Sequence, residues 1–364
     1  MNMQDRASVI YNPHHQRHAT DRILVDGSFH QTSELPARAE NILARLKASG
    51  FYVSPAVEDF GTTPILSVHR AEYIRFLIDT QEQLLKTPQR ALFPANAIVN
   101  YMRESAKHDR ISTDFPALDD GTPITNGTWD AAYWSAQCAL AGARLVAAQG
   151  GVVYALCRPS GHHAGLSEAN GIFSEYGGFC YLNNAAIAAK DFLNHGHTVA
   201  ILDIDAHHGN GTQGIFYSEP TLVCSIHGDP REGFFPCYSG FEHERGISKG
   251  EGFNHNICLT RTAGDLKFLR ALSSALQRID DYYPDYLIVS LGVDFLKGDP
   301  YGDLGVSPDA LEIVGRLISQ LRLPTLLVQE GGYQSRLLGQ HIDSVLTNFE
   351  SRTHEVLSPN PWFG

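Results

Sequence analysis

No stretch of this 364-residue chain stays apolar for 18 residues, so no membrane-spanning helix is expected. The opening, MNMQDRASVIYNPHH, lacks the apolar core of a secretory leader, and the cytoplasm is the expected location. Cysteine is scarce. Six are present, Cys138, Cys157, Cys180, Cys224, Cys237 and Cys258, widely spaced and without a CxxC pair. That spacing fits reduced thiols better than a disulfide framework. Basic residues are also in deficit, with 28 Lys and Arg against 40 Asp and Glu and a net charge of -12. This balance argues against nucleic acid or an anionic membrane as partner and is compatible with a cationic substrate. Internal repeats and low-complexity tracts are absent as well. What is left, 43% hydrophobic and 19% charged, is the composition of a folded enzyme long enough to bury a large core.

The chain is organised around VAILDIDAHHGNG at 199–211. Residues 199–203 read as a buried parallel strand, after which polarity reverses to Asp203, Asp205, His207 and His208, closed by Gly209 and Gly211. Alternation along an extended chain would place Asp203, Asp205 and His207 on one side. Two carboxylates and an imidazole crowded at a dry strand end repel one another, and a divalent cation resolves the conflict. Mixed His and Asp donors suit zinc or another first-row metal. The competing reading is a polar turn facing solvent.

In chain order, residues 8–11 read as a short strand, and 12–34 as a long polar loop of the kind that rims a site. Pro36 opens a helix that Gly50 closes. Residues 52–57 are strand-like and 71–85 form a second amphipathic helix. Residues 87–126 are irregular and read as a long surface excursion. A helix then runs from Thr128 to Gly150. From there strands at 152–157, 199–204, 222–226, 286–291 and 325–329 alternate with helices at 181–194, 212–217, 264–281, 308–321 and 336–349, with 228–254 irregular and rich in glycine. This alternation predicts one α/β domain, a parallel sheet with helices on both faces.

Each of those five strands ends in a polar, glycine-bearing cluster: RPSGHHAG, DAHHGNG, HGD, GVD and EGGY. Ligands of open α/β sheets bind outside the carboxyl ends of the strands, so distant residues can converge there. Adjacent His162 and His163 facing an acid-rich strand end are candidate catalysts, Asp294 a candidate third ligand, and Tyr333 a candidate oxyanion donor. Gly209, Gly211 and Gly214 spell GxGxxG, but Asp205 and two histidines intervene after the strand, and Asp203 and Asp205 would repel a pyrophosphate. A two-metal phosphoesterase would also gather Asp and His, yet no set of Arg or Lys stands ready for phosphate.

RPSGHHAG, GFCYLNNAAIA, ILDIDAHHGNGTQ, SIHGDP, SLGVD and EGGY, in this order, resemble the histone deacetylase superfamily. LCRPSGHHAG, HGNGTQGIFY and IHGDP are most similar to the bacterial acetylpolyamine amidohydrolases. The resemblance spans about residues 8 to 349 and implies a single arginase-like α/β domain covering the chain, with loops at about 12–35 and 87–126 rimming the site. It implies one zinc per chain on Asp205, His207 and Asp294, and catalysis by His162, His163 and Tyr333. Asp203 would support His162, and Asn210 would stand behind His163 where some relatives have Asp. Asp203 and Ser225 match an inner potassium site, and Gly178, Phe179 and Phe235 a substrate channel. A homodimer is implied too.

The expected reaction is zinc-dependent hydrolysis of an N-acetylated amine, an acetylpolyamine ahead of an acetyl-lysine protein, with release of acetate and free amine. A metal phosphoesterase and an idle binder of acetylated ligands are the remoter readings. Polyamine-specific relatives carry acids in the loop before the helix that starts here near Thr128. Here that loop looks shorter, and Gly121 falls near one expected Glu. Asp114, Asp119 and Asp120, together with Glu168 and Glu175 in an apparent insertion, are the candidate amine-reading acids.

Overall fold

A computed structural model of the chain describes residues 7–25, 27–54, 58–88, 90–93, 121–165 and 176–350. It opens with β1 (Ser8–Ile10), a hairpin of β2 (Arg22–Val25) and β3 (Ser28–Gln31), α1 (Ala37–Ala48), β4 (Val53–Ser54), one turn of α2 (Thr63–Leu66) and α3 (Ala71–Leu85). A short pair, β5 (Ala91–Leu92) and β6 (Ile124–Thr125), leads to α4 (Thr128–Gln149), β7 (Val152–Ala155), α5 (Asn184–Asn194), β8 (Val199–Asp203) and α6 (Asn210–Phe216). Then come β9 (Leu222–Gly228), β10 (Asn254–Leu259), α7 (Gly264–Tyr282), β11 (Tyr286–Leu291), α8 (Ala310–Ser319), β12 (Thr325–Gln329) and α9 (Leu338–Glu350).

Eight strands build one parallel sheet in the order β10-β9-β8-β11-β12-β7-β1-β4. Its central strands bury both faces. Along β8, Val199 and Ile201 pack with α4 and α5, whereas Ala200 and Leu202 pack with α1, α7, α8 and α9. This two-sided burial is why the strands read as unbroken apolar runs. Among the described residues no helix is long and apolar enough to cross a membrane.

The sheet order places the site. From β8 the chain steps outward to β9 and β10, then returns to lay β11 against the other side of β8. The direction of winding reverses between β8 and β11, and a crevice opens beyond their carboxyl ends. The five strands with polar tips, β9, β8, β11, β12 and β7, are consecutive in the sheet.

Two elements depart from the sequence reading. The long loop expected at 12–34 contains the β2–β3 hairpin, in which Val25 pairs with Ser28 and Gly27 has φ +75°. Asp26–Gly27 between two short extended runs is the hairpin signal in the sequence. An edge strand, β10, begins where the segment expected to be irregular, 228–254, ends; its pattern NHNICL is too polar to read as buried. Asn254 and Asn256 point inward because each donates its amide to Gln213 Oε1, at 2.7 and 2.8 Å.

Candidate active site

The tip of β8 is shaped by its own carboxylates. The strand stops at Asp203, and the extended run expected through His207 does not occur. Asp203 Oδ1 accepts the N–H of Asp205 (3.1 Å), and Asp205 Oδ1 accepts the N–H of His207 (2.9 Å). Two successive side-chain-to-backbone turns, rather than strand alternation, therefore bring Asp205 and His207 together. Asp294, beyond the neighbouring β11, is fixed by the N–H of Ala206 on its Oδ1 (2.8 Å). Ligand atoms of Asp205, His207 and Asp294 all lie within 4.8 Å of one another.

The protonation of His207 decides what this cluster can hold. Its Nε2 lies 3.1 Å from the Tyr301 carbonyl, which only accepts, so Nε2 carries the proton. His207 Nδ1 faces Asp205 Oδ1 at 3.1 Å and Asp294 Oδ2 at 3.0 Å. These two carboxylates outweigh burial and push the imidazole well above 6.5, so the Nδ1 lone pair turns to a cation only when the cation displaces that proton. Asp294 Oδ2 is buried without a hydrogen bond. Burial and the charge of Asp205 both raise the Asp294 carboxyl above its ordinary range. Two carboxylates and an imidazole nitrogen converging in a dry site fit a divalent cation that takes the place of the His207 Nδ1 proton, and this donor set suits zinc. Glycine makes the close approach possible: a Cβ at Gly331 would overlap both carboxylates.

His162 and His163 lie in the loop after β7, with ring centroids 4.0 Å apart and opposite environments. His162 Nδ1 meets Asp203 Oδ2 at 2.9 Å. Burial works to lower its pKa, but the charges of Asp205 and Asp203 prevail and push it up to about 10. His163 Nδ1 meets the neutral Asn210 Oδ1 at 2.7 Å. Burial, then the neighbouring His162 and His207, hold its pKa well below 6.5. The pair is thus one imidazolium and one neutral imidazole whose Nδ1–H donates to Asn210. A second close group, His162, Cys180 and Glu330, is buried beside them. There Glu330 Oε2 is engaged by the N–H groups of Gly161 (2.7 Å) and His162 (3.2 Å).

Tyr333 sits after β12 on a Gly-Gly turn, with Gly332 at φ +122°. Its own N–H donates to Asp299 Oδ2 (2.7 Å), and the Arg38 guanidinium lies over its ring, 4.5 Å from the centroid. Burial raises the phenol well above 10, more than Arg38 lowers it, so Tyr333 is a proton-bearing donor at any physiological pH.

These groups meet in a cavity of about 440 Å³. His162, His163, Asp205, His207 and Tyr333 line it together with Gly178, Phe179, Phe234, Phe235 and Tyr301. Ile23, Leu24 and Val25 of the hairpin and Arg261 also contribute. Gly178 (φ +53°) and Phe179 (φ +66°) both adopt left-handed backbone, held where Phe179 N–H donates to Thr122 Oγ1 (2.9 Å). Gly178 must lack a side chain, because a Cβ there would overlap the His163 ring. Phe235 closes on His163 edge to face at 4.9 Å. Ser225 on β9 pairs with Asp203 in register, and its Oγ lies 2.8 Å from His227 Nδ1. The candidate acids Asp114, Asp119, Asp120, Glu168 and Glu175 lie outside the described residues.

Sequence reasoning passed over Arg38, Asp299, Tyr301, Phe234 and Arg261. Phe234 adjoins Phe235 and could have been found by extension. Arg38 sits near the start of an ordinary amphipathic helix and carries no local signal.

A model of the histone deacetylase domain matches residues 32–349. Acetylpolyamine amidohydrolase 1 of Pseudomonas aeruginosa is 40% identical, covering 94% of this chain and 98% of its own. An acetylpolyamine amidohydrolase of Burkholderia pseudomallei is 38% identical over 94% of this chain and 96% of its own. The crystal structure of an acetylpolyamine aminohydrolase from Burkholderia pseudomallei superposes with a TM-score of 0.81 at 36% identity, over 95% and 99% of the two chains. With its parallel sheet, its switch-point crevice and this kinship together, the chain belongs to the histone deacetylase family and is an amidohydrolase of the deacetylase type.

Proposed function

We propose that this enzyme hydrolyses the acetamide of an N-acetylated amine, an acetylpolyamine ahead of an acetyl-lysine protein, and releases acetate and the free amine. One observation carries the reading: His207 Nδ1 and two buried carboxylates converge beside one charged histidine, one neutral histidine and a phenol. Asp205, His207 and Asp294 would hold a zinc ion, which supplies a Lewis acid for the amide carbonyl and lowers the pKa of the attacking water. His163, kept neutral by burial and by Asn210, accepts the proton of that water and returns it to the leaving amine. Without that proton the amine would have to depart as an amide anion. His162, paired with Asp203, keeps a positive charge near the developing oxyanion, and Tyr333 donates its phenol proton in a hydrogen bond to the same oxygen.

A potassium ion at Asp203 and Ser225 belongs to the same reading. His227 Nε2 lies 2.8 Å from the Gly240 carbonyl and donates to it. The Ser225 hydroxyl then donates to His227 Nδ1, and its oxygen lone pairs remain free to face a cation. A homodimer is also part of the reading, and sedimentation of the purified protein checks it.

The acetylpolyamine preference rests on the named relatives at about 40% identity and on the net charge of -12. Turnover of acetylputrescine, acetylspermidine and acetyl-lysine peptides with zinc defined is the test. Peptides turned over faster than every acetylpolyamine would reverse the order. Phosphate release from phosphoesters, with none of acetate from acetamides, would replace the reading altogether.

Arg261 gives a finer prediction. Its exposed guanidinium, 4.1 Å from the Phe234 ring centroid, is a cation in the lining, where it would repel the distal ammonium of a polyamine. Arg261→Gln should raise kcat/KM for acetylspermidine by about two- to five-fold, as exposed charge pairs are worth roughly 0.2–1 kcal/mol. A neutral acetamide of similar length should show no change. The gain should shrink in high salt, which screens charges beyond ~10 Å at 0.1 M and closer at higher strength. Equal effects on both substrates would remove Arg261 from substrate reading.

A further inference from the structure

Two loops must be held in register for the proposed chemistry, the one carrying His162 and His163 and the one carrying Tyr333. Both lead back to a carboxylate far from them in sequence. Glu34, just before α1, is buried, and its side chain lies between two buried arginines. Its Oε1 accepts from Arg38 Nη1 at 3.0 Å and from Arg158 Nε at 2.9 Å, and its Oε2 accepts from Arg158 Nη2 at 2.7 Å.

Each arginine continues to one of the loops. Arg38 donates Nε to the Gly332 carbonyl (2.7 Å) and Nη2 to the Glu330 carbonyl (2.8 Å), while its plane lies under the Tyr333 ring. Arg158 stands four residues before His162 and donates Nη1 to the carbonyls of His15 (2.7 Å) and His18 (2.9 Å). The ring closes at the far side, where Glu330 Oε2 accepts the N–H groups of Gly161 and His162. The Gly331–Gly332 turn has no side chain with which to fix its own shape, so the shape is imposed from outside. Arg38 holds the carbonyls of Glu330 and Gly332, Gln329 those of Glu330 and Gly331, Asp205 the N–H of Gly331 and Asp299 the N–H of Tyr333.

We propose that Glu34 is a positioning residue for amide hydrolysis: bridging Arg38 and Arg158, it sets the Tyr333 phenol against the His162–His163 loop. The inference rests on the reading of Tyr333 as oxyanion donor. Without the carboxylate, two buried guanidinium groups would face each other with no counter-charge between them, and the fork of Arg38 would turn away from carbonyls 330 and 332. The two arginine charges outweigh burial and hold the Glu34 carboxyl down to about 2, so the bridge stays ionised throughout the working range. Oxyanion donors act through placement to within a fraction of an ångström, and remote groups that hold them show up in kcat.

The experiment is a double-mutant cycle on zinc-loaded enzyme with acetylputrescine as substrate. Glu34→Gln keeps the volume but turns an amide N–H₂ toward arginine donors. Its kcat should fall roughly 10- to 100-fold, the scale of an ångström misplacement, with KM within about two-fold and zinc content unchanged. In a Tyr333→Phe background the same substitution should cost less than about three-fold, because the group it positions is gone. A merely structural loss would scale kcat equally in both backgrounds, and that result overturns the proposal, as does a wild-type kcat for Glu34→Gln. Should Glu34→Gln fail to fold, Arg38→Lys keeps a charge beneath the phenol, removes the fork on carbonyls 330 and 332, and should show the same non-additivity. Tyr333→Phe as fast as wild type would instead overturn the reading of the phenol, and the Glu34 proposal with it.

Discussion

Asp205→Ala should lose zinc and at least about 10³ in kcat, since a Lewis-acid metal supplies several kcal/mol of transition-state stabilisation and each 1.36 kcal/mol is tenfold. The size of the effect follows from how many groups depend on this carboxylate. Its Oδ1 receives the N–H of His207 and faces His207 Nδ1, and its Oδ2 receives the N–H of Gly331. It also lies 3.7 Å from His162 Nε2, so it supplies part of the field that keeps His162 charged. Asp205→Asn separates these contributions. It retains an acceptor for the His207 N–H but removes the charge, and should fold normally while binding zinc far more weakly. Metal analysis of the purified variants beside acetate release checks both. Wild-type turnover by zinc-free Asp205→Ala would remove the cluster from the mechanism.

The second large effect concerns proton transfer and oxyanion support. Tyr333→Phe should lower kcat by about 10²–10³, the usual cost of one oxyanion donor, with zinc content unchanged. His163→Ala should cost more than His162→Ala, because in the proposed reaction the neutral imidazole moves a proton twice in each turnover. In the proposed reaction His163 works in its neutral form, and burial together with His162 and His207 holds its pKa well below 6.5. As pH falls, kcat/KM should therefore hold through pH 6.5 and decline only below it. Asn210→Asp would place a carboxylate where Asn210 Oδ1 now lies, 2.7 Å from His163 Nδ1, and favour the protonated ring. Its acid limb should move to higher pH. A limb unmoved by Asn210→Asp would mean that another group sets it, and near-wild-type turnover by Tyr333→Phe would remove the phenol.

Much of this site was legible because it is built from strand tips. A parallel strand buried on both faces reads as an unbroken apolar run, so the point where Ile204 gives way to Asp205, or Gln329 to Glu330, stands out. Five such tips put His162, His163, Asp205, His207, Asp294 and Tyr333 at one sheet edge from the sequence alone. Of the side chains that fix these groups, Asp203 and Asn210 follow from the resemblance, but Glu34, Arg38 and Asp299 have no signal in the sequence. Glu34, Arg38 and Asp299 act across sequence separations that no local pattern records: Arg38 reaches the Gly332 carbonyl over 294 residues. β10 was hidden for a related reason, since Asn254 and Asn256 face a buried amide network and look like loop residues. The convergence of Asp205 and His207 was anticipated, but by strand alternation; two carboxylate-capped turns produce it.

In the proposed reaction, acetamide cleavage depends on a metal held by three donors, Asp205, His207 and Asp294, at the β8 and β11 tips. The most direct test is to strip the wild-type protein with a chelator, return zinc in measured steps, and follow acetate release from acetylputrescine. No turnover is expected from the stripped protein, and activity should recover and saturate at one zinc per chain. Full turnover without metal, or no acetate at any zinc loading, would contradict it.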